Sequence, residues 1–434
     1  MSLITQSSVR NLQQALARKS KSEPKYRFYS LYDKVCRMDV LKEAWRMVRT
    51  NKGSGGVDRI TLDEIENSGV DSFLSTLQDE LKSHSYKPQP LLRVYIPKAR
   101  GGKRPLSIPT VRDRVVQQAV RLVIEPIFEV HFSSASFGFR PKRGAQDAVK
   151  EIWKLLNWGL IQVVEADIED CFGSIPHGDL MKRIAERIAD GQILKMIRLW
   201  LRCGIMEEGQ VRTQTTGTPQ GGVISPLLAN VYLDKLDQEW NQQGMDERRY
   251  NAHLVRYADD LAIFTDKSPR EPERLLRVTL GNMGLKVNES KTRVLNARRG
   301  NFDFLGFNFR QCLNPRTGKW FALVRPSHKA QMTLKRKLKT LTSPQVQRKI
   351  SEVVGEINPV LRGWVNYFRI GNSSSVFSEV REFALCRMRR YMRRRQGRHG
   401  YGWKNLSNEF FYGTLGLFYG YHTEGRPIPA WRIR

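Results

Sequence analysis

The stretch "HLVRYADDLAIF", residues 253–264, sets two adjacent carboxylates, Asp259 and Asp260, into a run that otherwise reads as a buried strand. Tight two-residue hairpins favour Asn-Gly or Asp-Gly, because the turn needs positive φ. Here "YADD" has no glycine and is flanked by Leu254, Val255, Ile263 and Phe264. A turn that holds like charges against a core needs compensation. Carboxylates without a counter-ion raise one another's pKa, whereas a divalent cation keeps both ionised. Hard Mg²⁺ takes one or two carboxylates plus substrate phosphates, and two such ions about 3.5–4 Å apart stabilise the attacking and leaving oxygens of phosphoryl transfer. A third carboxylate is then expected from elsewhere. Asp167 is the candidate, because it ends the strand "LIQVVEAD" and a strand beside the hairpin brings it near Asp259. Glu165, Glu169 and Asp170 leave that choice open on spacing alone, and a cap or turn role is the common fate of an Asp after a strand.

The partner class follows from charge. Against 43 Asp and Glu stand 73 Lys and Arg, a formal net charge of +30. That excess points to a polyanion, with nucleic acid first. A membrane-surface role would need a long apolar span, a strongly amphipathic basic helix or a lipidation signal, and the sequence offers none. The N-terminal 30 residues lack the apolar core of a secretory signal; their Arg, Lys and Ser fit a transit peptide or a nucleic-acid-binding helix equally well. Five cysteines, Cys36, Cys171, Cys203, Cys312 and Cys386, form no CxxC pair, which fits a reducing, intracellular protein without a zinc module.

Along the chain, helical spacing from about Val35 to Arg49 is broken by "NKGSGGVD", a connecting loop rather than a P-loop. "LLRVYIPKARGGKRPLSIPT" (91–110) reads as two strands around a Gly-Gly turn, with Lys98, Arg100, Lys103 and Arg104 at or near its tip. A helix over 111–132 is expected to end near Pro126. "GTPQGGVISPLLANVYLDKLDQEW" opens with a turn and continues as a helix, and 275–294 reads as a helix, a strand and a turn containing Lys291. From about Arg325 to Arg395 the chain is helical and basic, with seven arginines between Arg387 and Arg398. These supply phosphate contacts. Trp364, Tyr367, Phe368 and Tyr391 are interleaved there, as core or as platforms for unpaired bases. No internal repeat and no long low-complexity linker interrupt the chain, which favours one compact multi-lobed body.

The ordered blocks "IPKARGGKRPLSIPTVRDRVVQQAV", "VVEADIEDCFGSIPH", "GTPQGGVISPLLANVYLDKLD", "RYADD" and "FLGFNF" resemble those of reverse transcriptases. With "NKGSGGVD", "SFGFRPKRGAQDAV" and "LRGWVNYFRIG", the chain resembles group II intron-encoded reverse transcriptases, or maturases, over roughly residues 35 to 395. The resemblance implies an α+β fold: a right-handed fingers, palm and thumb polymerase with a ferredoxin-like palm and an α-helical, intron-binding thumb. The expected divisions are an N-terminal extension and start of the fingers (1–85), fingers (86–160), palm with part of the fingers (161–324), thumb or maturase domain (325–398) and a short C-terminal tail (399–434). It also implies that Asp167, Asp259 and Asp260, with the backbone carbonyl of Ile168, hold two Mg²⁺ ions. Lys98 and Arg104 would hold the triphosphate of an incoming deoxynucleoside triphosphate, Gln220 would line its pocket, and Phe172 would reject a ribose 2′-hydroxyl. Lys291 would protonate the leaving pyrophosphate. Tyr257, Ala258 and "FLGF" would lie along the primer, and Arg140 would brace the fingers or touch the template. Each has a plainer alternative: a solvated hairpin for the cations, core packing for Phe172, Phe304 and Phe307, a structural turn for Gln220, a solvated turn for Lys291.

Two departures stand out. About 35 residues follow the arginine cluster, without cysteines, so the metal-dependent nuclease of many such proteins is not expected, and mobility would then use nascent DNA ends. Cys171 precedes Phe172, where the family often has an aromatic. The expected activity is RNA-directed DNA synthesis with splicing assistance, on a group II intron RNA, a DNA target and a DNA primer, in the bacterial cytoplasm at the nucleoid. Competing readings are a splicing cofactor with vestigial polymerase activity and a domesticated enzyme of DNA repair or phage defence.

Overall fold

The computed structural model describes residues 3–97, 102–213, 216–247, 249–343, 345, 348–397, 399 and 406–424. The runs around the carboxylates fold as strands Gln162–Asp167, Ala252–Tyr257 and Asp260–Thr265. They join Arg293–Asn296 in a four-stranded antiparallel sheet, with Asp260–Thr265 and Gln162–Asp167 in the middle. Successive side chains alternate across a sheet. Val164, Ala166, Leu254, Leu261 and Ile263 enter one core with helices Val111–Glu129, His177–Ala185 and Ser225–Gln242. Val163, Val255, Ala262 and Phe264 enter a second, with helix Ala145–Asn157 and the strands after residue 301. Burial on both faces explains why these strands read as continuous apolar runs. It also fixes their register, since a one-residue slip would exchange the two sets of side chains.

Strand Leu91–Pro97 pairs antiparallel with Lys103–Ile108, the expected hairpin, and parallel with Ile205–Glu207. Lys98 and Arg100, on its turn, lie outside the described residues. A third sheet of Phe302–Phe304, Phe307–Leu313 and Trp320–Pro326 leads into helices His328–Leu341, Ile350–Phe368 and Ser374–Arg395. Leu334, Ile357, Leu361, Val380 and Met388 make the core of these helices. The mixed helix-and-sheet architecture agrees with the expected fold class, and no described helix is long and apolar enough to cross a membrane.

Two local expectations are corrected. The helix expected to end near Pro126 runs on to Glu129. Proline deprives the carbonyl four residues back of its donor. Here that carbonyl, Leu122 O, accepts a hydrogen bond from Gln13 Nε2 at 3.0 Å, so an adjoining helix, Leu3–Ser22, supplies the missing bond. The arginine cluster is not all available to phosphates. Arg389 is 2% exposed and donates to Leu406 O at 3.0 Å, and Arg387 donates to Thr342 Oγ1 at 2.8 Å. Those two guanidiniums tie the last helix to its neighbours.

Candidate active site

The register pairs Tyr257 with Asp260, leaving Ala258 and Asp259 as a two-residue turn. Ala258 takes φ 57°, the left-handed conformation expected of a tight hairpin and unfavourable for a residue with a Cβ by about 1–2 kcal/mol. The surroundings hold it there. Gly138 lies so close that a Cβ on it would sit 2.4 Å from Ala258 N, and Asn230 Nδ2 donates to Gly138 O at 2.8 Å. Arg256, fully buried, donates through Nη1 to Asn230 Oδ1 at 3.0 Å and through Nε to Asp237 Oδ1 at 3.0 Å. Its backbone is pinned as well: Arg256 N donates to Ala135 O and Phe137 N to Arg256 O, each at 2.8 Å. Sequence reasoning missed Arg256, Asp237, Asn230 and Gly138. The signal was an arginine inside an apolar strand, with Asn230 and Asp237 seven residues apart on one helix face.

Asp167 pairs directly across from Asp260, so the strand proposed to flank the hairpin does so. Asn288 N donates to Asp167 O at 2.8 Å, and Ile168 continues into a bridge with Val287. Lys291 Nζ, on the following turn, donates to Asp167 Oδ2 at 2.6 Å. Burial, then the charges of Asp259 and Asp167, pushes Asp260 up to about 6. Asp259 is also raised, first by burial and then by Asp167, against its own backbone hydrogen bond and the cations Arg104 and Lys291. Among the described residues no three His, Cys, Asp or Glu side chains are already gathered closely enough to hold a metal ion. Paired acids whose affinity for protons is raised by burial and crowding nonetheless suit a hard divalent cation, whose charge would relieve both.

The other expected residues are distributed around this pair. Arg104 Nε donates to Gln220 Oε1 at 3.2 Å, and Ser107 N donates to Gln220 O at 2.7 Å, so the basic hairpin and the "TPQGG" loop meet. Phe172 is 8% exposed and its carbonyl accepts from Thr218 N at 2.6 Å. A Cβ on Gly217, whose φ is 88°, would collide with Gly173, so the "CFG" and "GTPQ" segments approach as closely as glycines allow. Cys171 is buried beside Asp259, and burial chiefly pushes its thiol up to about 12, leaving it a protonated packing group. Phe304 and Phe307 are core residues, the plainer of their two readings, although Phe304 also borders the cleft. Arg140 braces the 129–136 segment through Glu129 and Ser136 O.

Asp167 and Asp260 open onto a cleft of about 1320 Å³. Leu305 and Gly306, Lys291, Lys329 and Lys337, and Trp364 and Tyr367 line its other walls. Tyr367 donates its hydroxyl to Leu305 O at 2.9 Å, joining helix Ile350–Phe368 to the Leu305–Gly306 turn in the cleft wall. Phe368 and Tyr391 are buried, whereas Trp364 and Tyr367 are half-buried.

Residues 96–309 match the reverse transcriptase (RNA-dependent DNA polymerase) family. Residues 331–410 match the group II intron, maturase-specific domain. Protein YkfC of Escherichia coli (strain K12) is 32% identical over 334 residues, 69% of this chain and 87% of its own length. Group II intron-encoded protein LtrA of Lactococcus lactis subsp. cremoris is 38% identical over 212 residues, 49% of this chain and 35% of LtrA. Putative COX1/OXI3 intron 2 protein of Saccharomyces cerevisiae is 30% identical over 324 residues, 61% of this chain and 37% of that protein. The chain thus spans most of YkfC and little more than a third of the other two. With the two domain matches in the order that the blocks implied, the chain belongs to the group II intron-encoded reverse transcriptases and maturases.

Proposed function

We propose that the protein is an RNA-directed DNA polymerase that binds a group II intron RNA, assists its splicing and copies it into DNA from a primer at a DNA target. The observation that carries this reading is the strand register that sets Asp260 opposite Asp167 at the wall of a lysine-lined cleft. Asp167, Asp259, Asp260 and the Ile168 carbonyl are the candidate ligands for two Mg²⁺ ions. When bound, these ions supply charge stabilisation for the attacking and leaving oxygens of phosphoryl transfer.

The remaining roles belong to the chain. Arg104, with Lys98, holds the triphosphate, and its hydrogen bond to Gln220 supports one nucleotide pocket shared by both. Phe172, fixed through its carbonyl, is the wall that excludes a 2′-hydroxyl. Lys291 is the proton donor to pyrophosphate, a role supported by its reach to Asp167. Tyr257 and the turn at Leu305 and Gly306 border the primer. In this reading residues 1–85 are an N-terminal extension and start of the fingers, 86–160 fingers, 161–324 a ferredoxin-like palm, 325–398 the thumb and 399–434 a short tail, in a bacterial cytoplasmic, nucleoid-associated enzyme.

Primer extension on an RNA template with Mg²⁺ and the four deoxynucleoside triphosphates tests it. The wild type should extend the primer, and chelation of the metal or Asp260→Asn should stop it. Synthesis that survives Asp260→Asn would overturn the assignment.

A further inference from the structure

Away from the carboxylates, the segment that leads into strand Gln162–Asp167 and the third sheet expose a different surface. Strand Gln162–Asp167 begins just after Trp158, so Trp158 lies roughly 20 Å from Asp167 at about 3.3 Å per strand residue. Trp158 is 51% exposed, Leu313 50% and Trp320 42%. Trp320 and Leu313 are register partners. On their strands they continue the face that carries buried Ala322, Val324, Phe307 and Phe309. Trp158 follows Asn157, whose side chain accepts a hydrogen bond at 3.1 Å from the backbone N of Ala322, two residues along the strand from Trp320. The inner face of the second core therefore runs out into solvent, past the end of helix Ala145–Asn157. None of the three residues borders the carboxylate cleft.

Each indole carries a cation. The Arg298 guanidinium lies 4.6 Å from the Trp320 ring centroid and Lys154 Nζ 4.7 Å from that of Trp158. Arg298 also donates to Gln311 Oε1 at 3.1 Å, and Lys154 pairs with Glu151 at 2.7 Å. Arg316 and Lys319 lie on the turn that joins Leu313 to Trp320. Aromatic rings beside positive side chains form a stacking platform for unpaired bases, sequence-tolerant because every base has a π-face. A protein partner is the other usual occupant of an exposed apolar patch, but cations on both rings favour a polyanion.

We infer that Trp158, Leu313 and Trp320 form a second nucleic-acid surface, separate from the cleft, on which an unpaired segment of RNA stacks its bases while Arg298 and its neighbours meet the phosphates. The inference rests on the reading of the chain as an intron-RNA binder. It is tested with the full-length protein and a 4-thiouridine-labelled oligouridine of ten nucleotides, with the cleft filled by an RNA–DNA primer–template duplex. Crosslinks are mapped by mass spectrometry and affinity by fluorescence anisotropy. Crosslinks should fall on peptides containing Trp158 and Trp320, and the double variant Trp158→Ala, Trp320→Ala should bind the probe roughly tenfold or more weakly. Trp158→Phe with Trp320→Phe should restore most of that loss. Thermal unfolding checks that the variants fold; if the double alanine variant does not, the crosslink map of the wild type decides alone. Crosslinks confined to cleft residues, or unchanged affinity in a folded double alanine variant, would overturn the proposal. So would a wild-type dimer in sedimentation that the double variant abolishes without losing probe affinity. Primer extension on the same samples separates the two readings: a wild type that binds the probe at the tryptophans and makes no DNA sinks the polymerase reading alone.

Discussion

The two sides of the Ala258–Asp259 turn handle charge in opposite ways. Beneath it, Arg256 and Asp237 are fully buried, and Arg256 also bonds Asn230. Above it, Asp167 accepts from Lys291, a lysine 59% exposed, at 2.6 Å and from Asn288 Nδ2 at 3.4 Å, and among the described residues no cation forms an ion pair with Asp259 or Asp260. One side is settled by the protein itself; the other keeps carboxyls whose affinity for protons is raised. An acid cluster left uncompensated is disfavoured in folding and is kept where a ligand completes it. The contrast separates what holds the turn from what the turn holds.

The largest expected effect tests the upper side. Asp260→Asn keeps the shape and removes a charge from a crowded set of like charges at the cleft wall. DNA synthesis should fall by roughly 10²–10³-fold or more, while denaturant unfolding shows unchanged or increased stability. A variant that is both inactive and strongly destabilised would break the contrast. On the lower side Asp237→Ala should do the reverse first: it strands a buried guanidinium, which typically destabilises by about 3–5 kcal/mol. Chemical denaturation followed by circular dichroism measures it, and a loss below about 1 kcal/mol would mean that Asp237 does not hold the turn.

A third test uses acid titration beneath the turn. Asp234 is pushed up to about 6 by burial first, then by Asp237, against Arg256, a hydrogen bond from Gln238, and Arg183. A carboxyl with a raised folded pKa favours the native state while it is protonated, so its contribution is present below the unfolded value near 4 and is lost as pH rises through about 6. Wild type minus Asp234→Asn should therefore show stability falling by about 2 kcal/mol between pH 4 and pH 7. A difference that is flat in pH would show that Asp234 is solvated.

Much of the upper side was legible and little of the lower. Two carboxylates in an apolar run announce themselves, because nothing in strand or turn chemistry asks for them, and the end of "LIQVVEAD" offered a third. Choosing Asp167 over Glu165, Glu169 or Asp170 needed the family resemblance, since cross-strand register is not written in local spacing. The support beneath depends on contacts between residues far apart in the chain: Gly138 against Ala258, Asn230 against Gly138. Each alone reads as an ordinary loop glycine or helix polar residue. Pro126 and Arg389 were misread for the same reason, because Gln13, Leu406 and Asn408, which satisfy their surroundings, come from distant segments. The sheets read as apolar runs in sequence, but which face met which core emerged only from packing.

The smallest expected effect returns to Lys291, the counterpart of Arg256 on the upper side. Both are cations hydrogen-bonded to an aspartate at 2.6 and 3.0 Å respectively, so distance alone would rank them together. Burial separates them. A half-exposed pair is screened by water and gives up side-chain entropy to form, so its net contribution is a few tenths of a kcal/mol up to about 1. Lys291→Met, read by unfolding free energy in metal-free buffer, should lie within about 1 kcal/mol of wild type and lose even that difference in high salt. A loss that approaches that of Asp237→Ala and survives high salt would mean that Lys291 is part of the scaffold, and that the acids above the turn are compensated by protein after all.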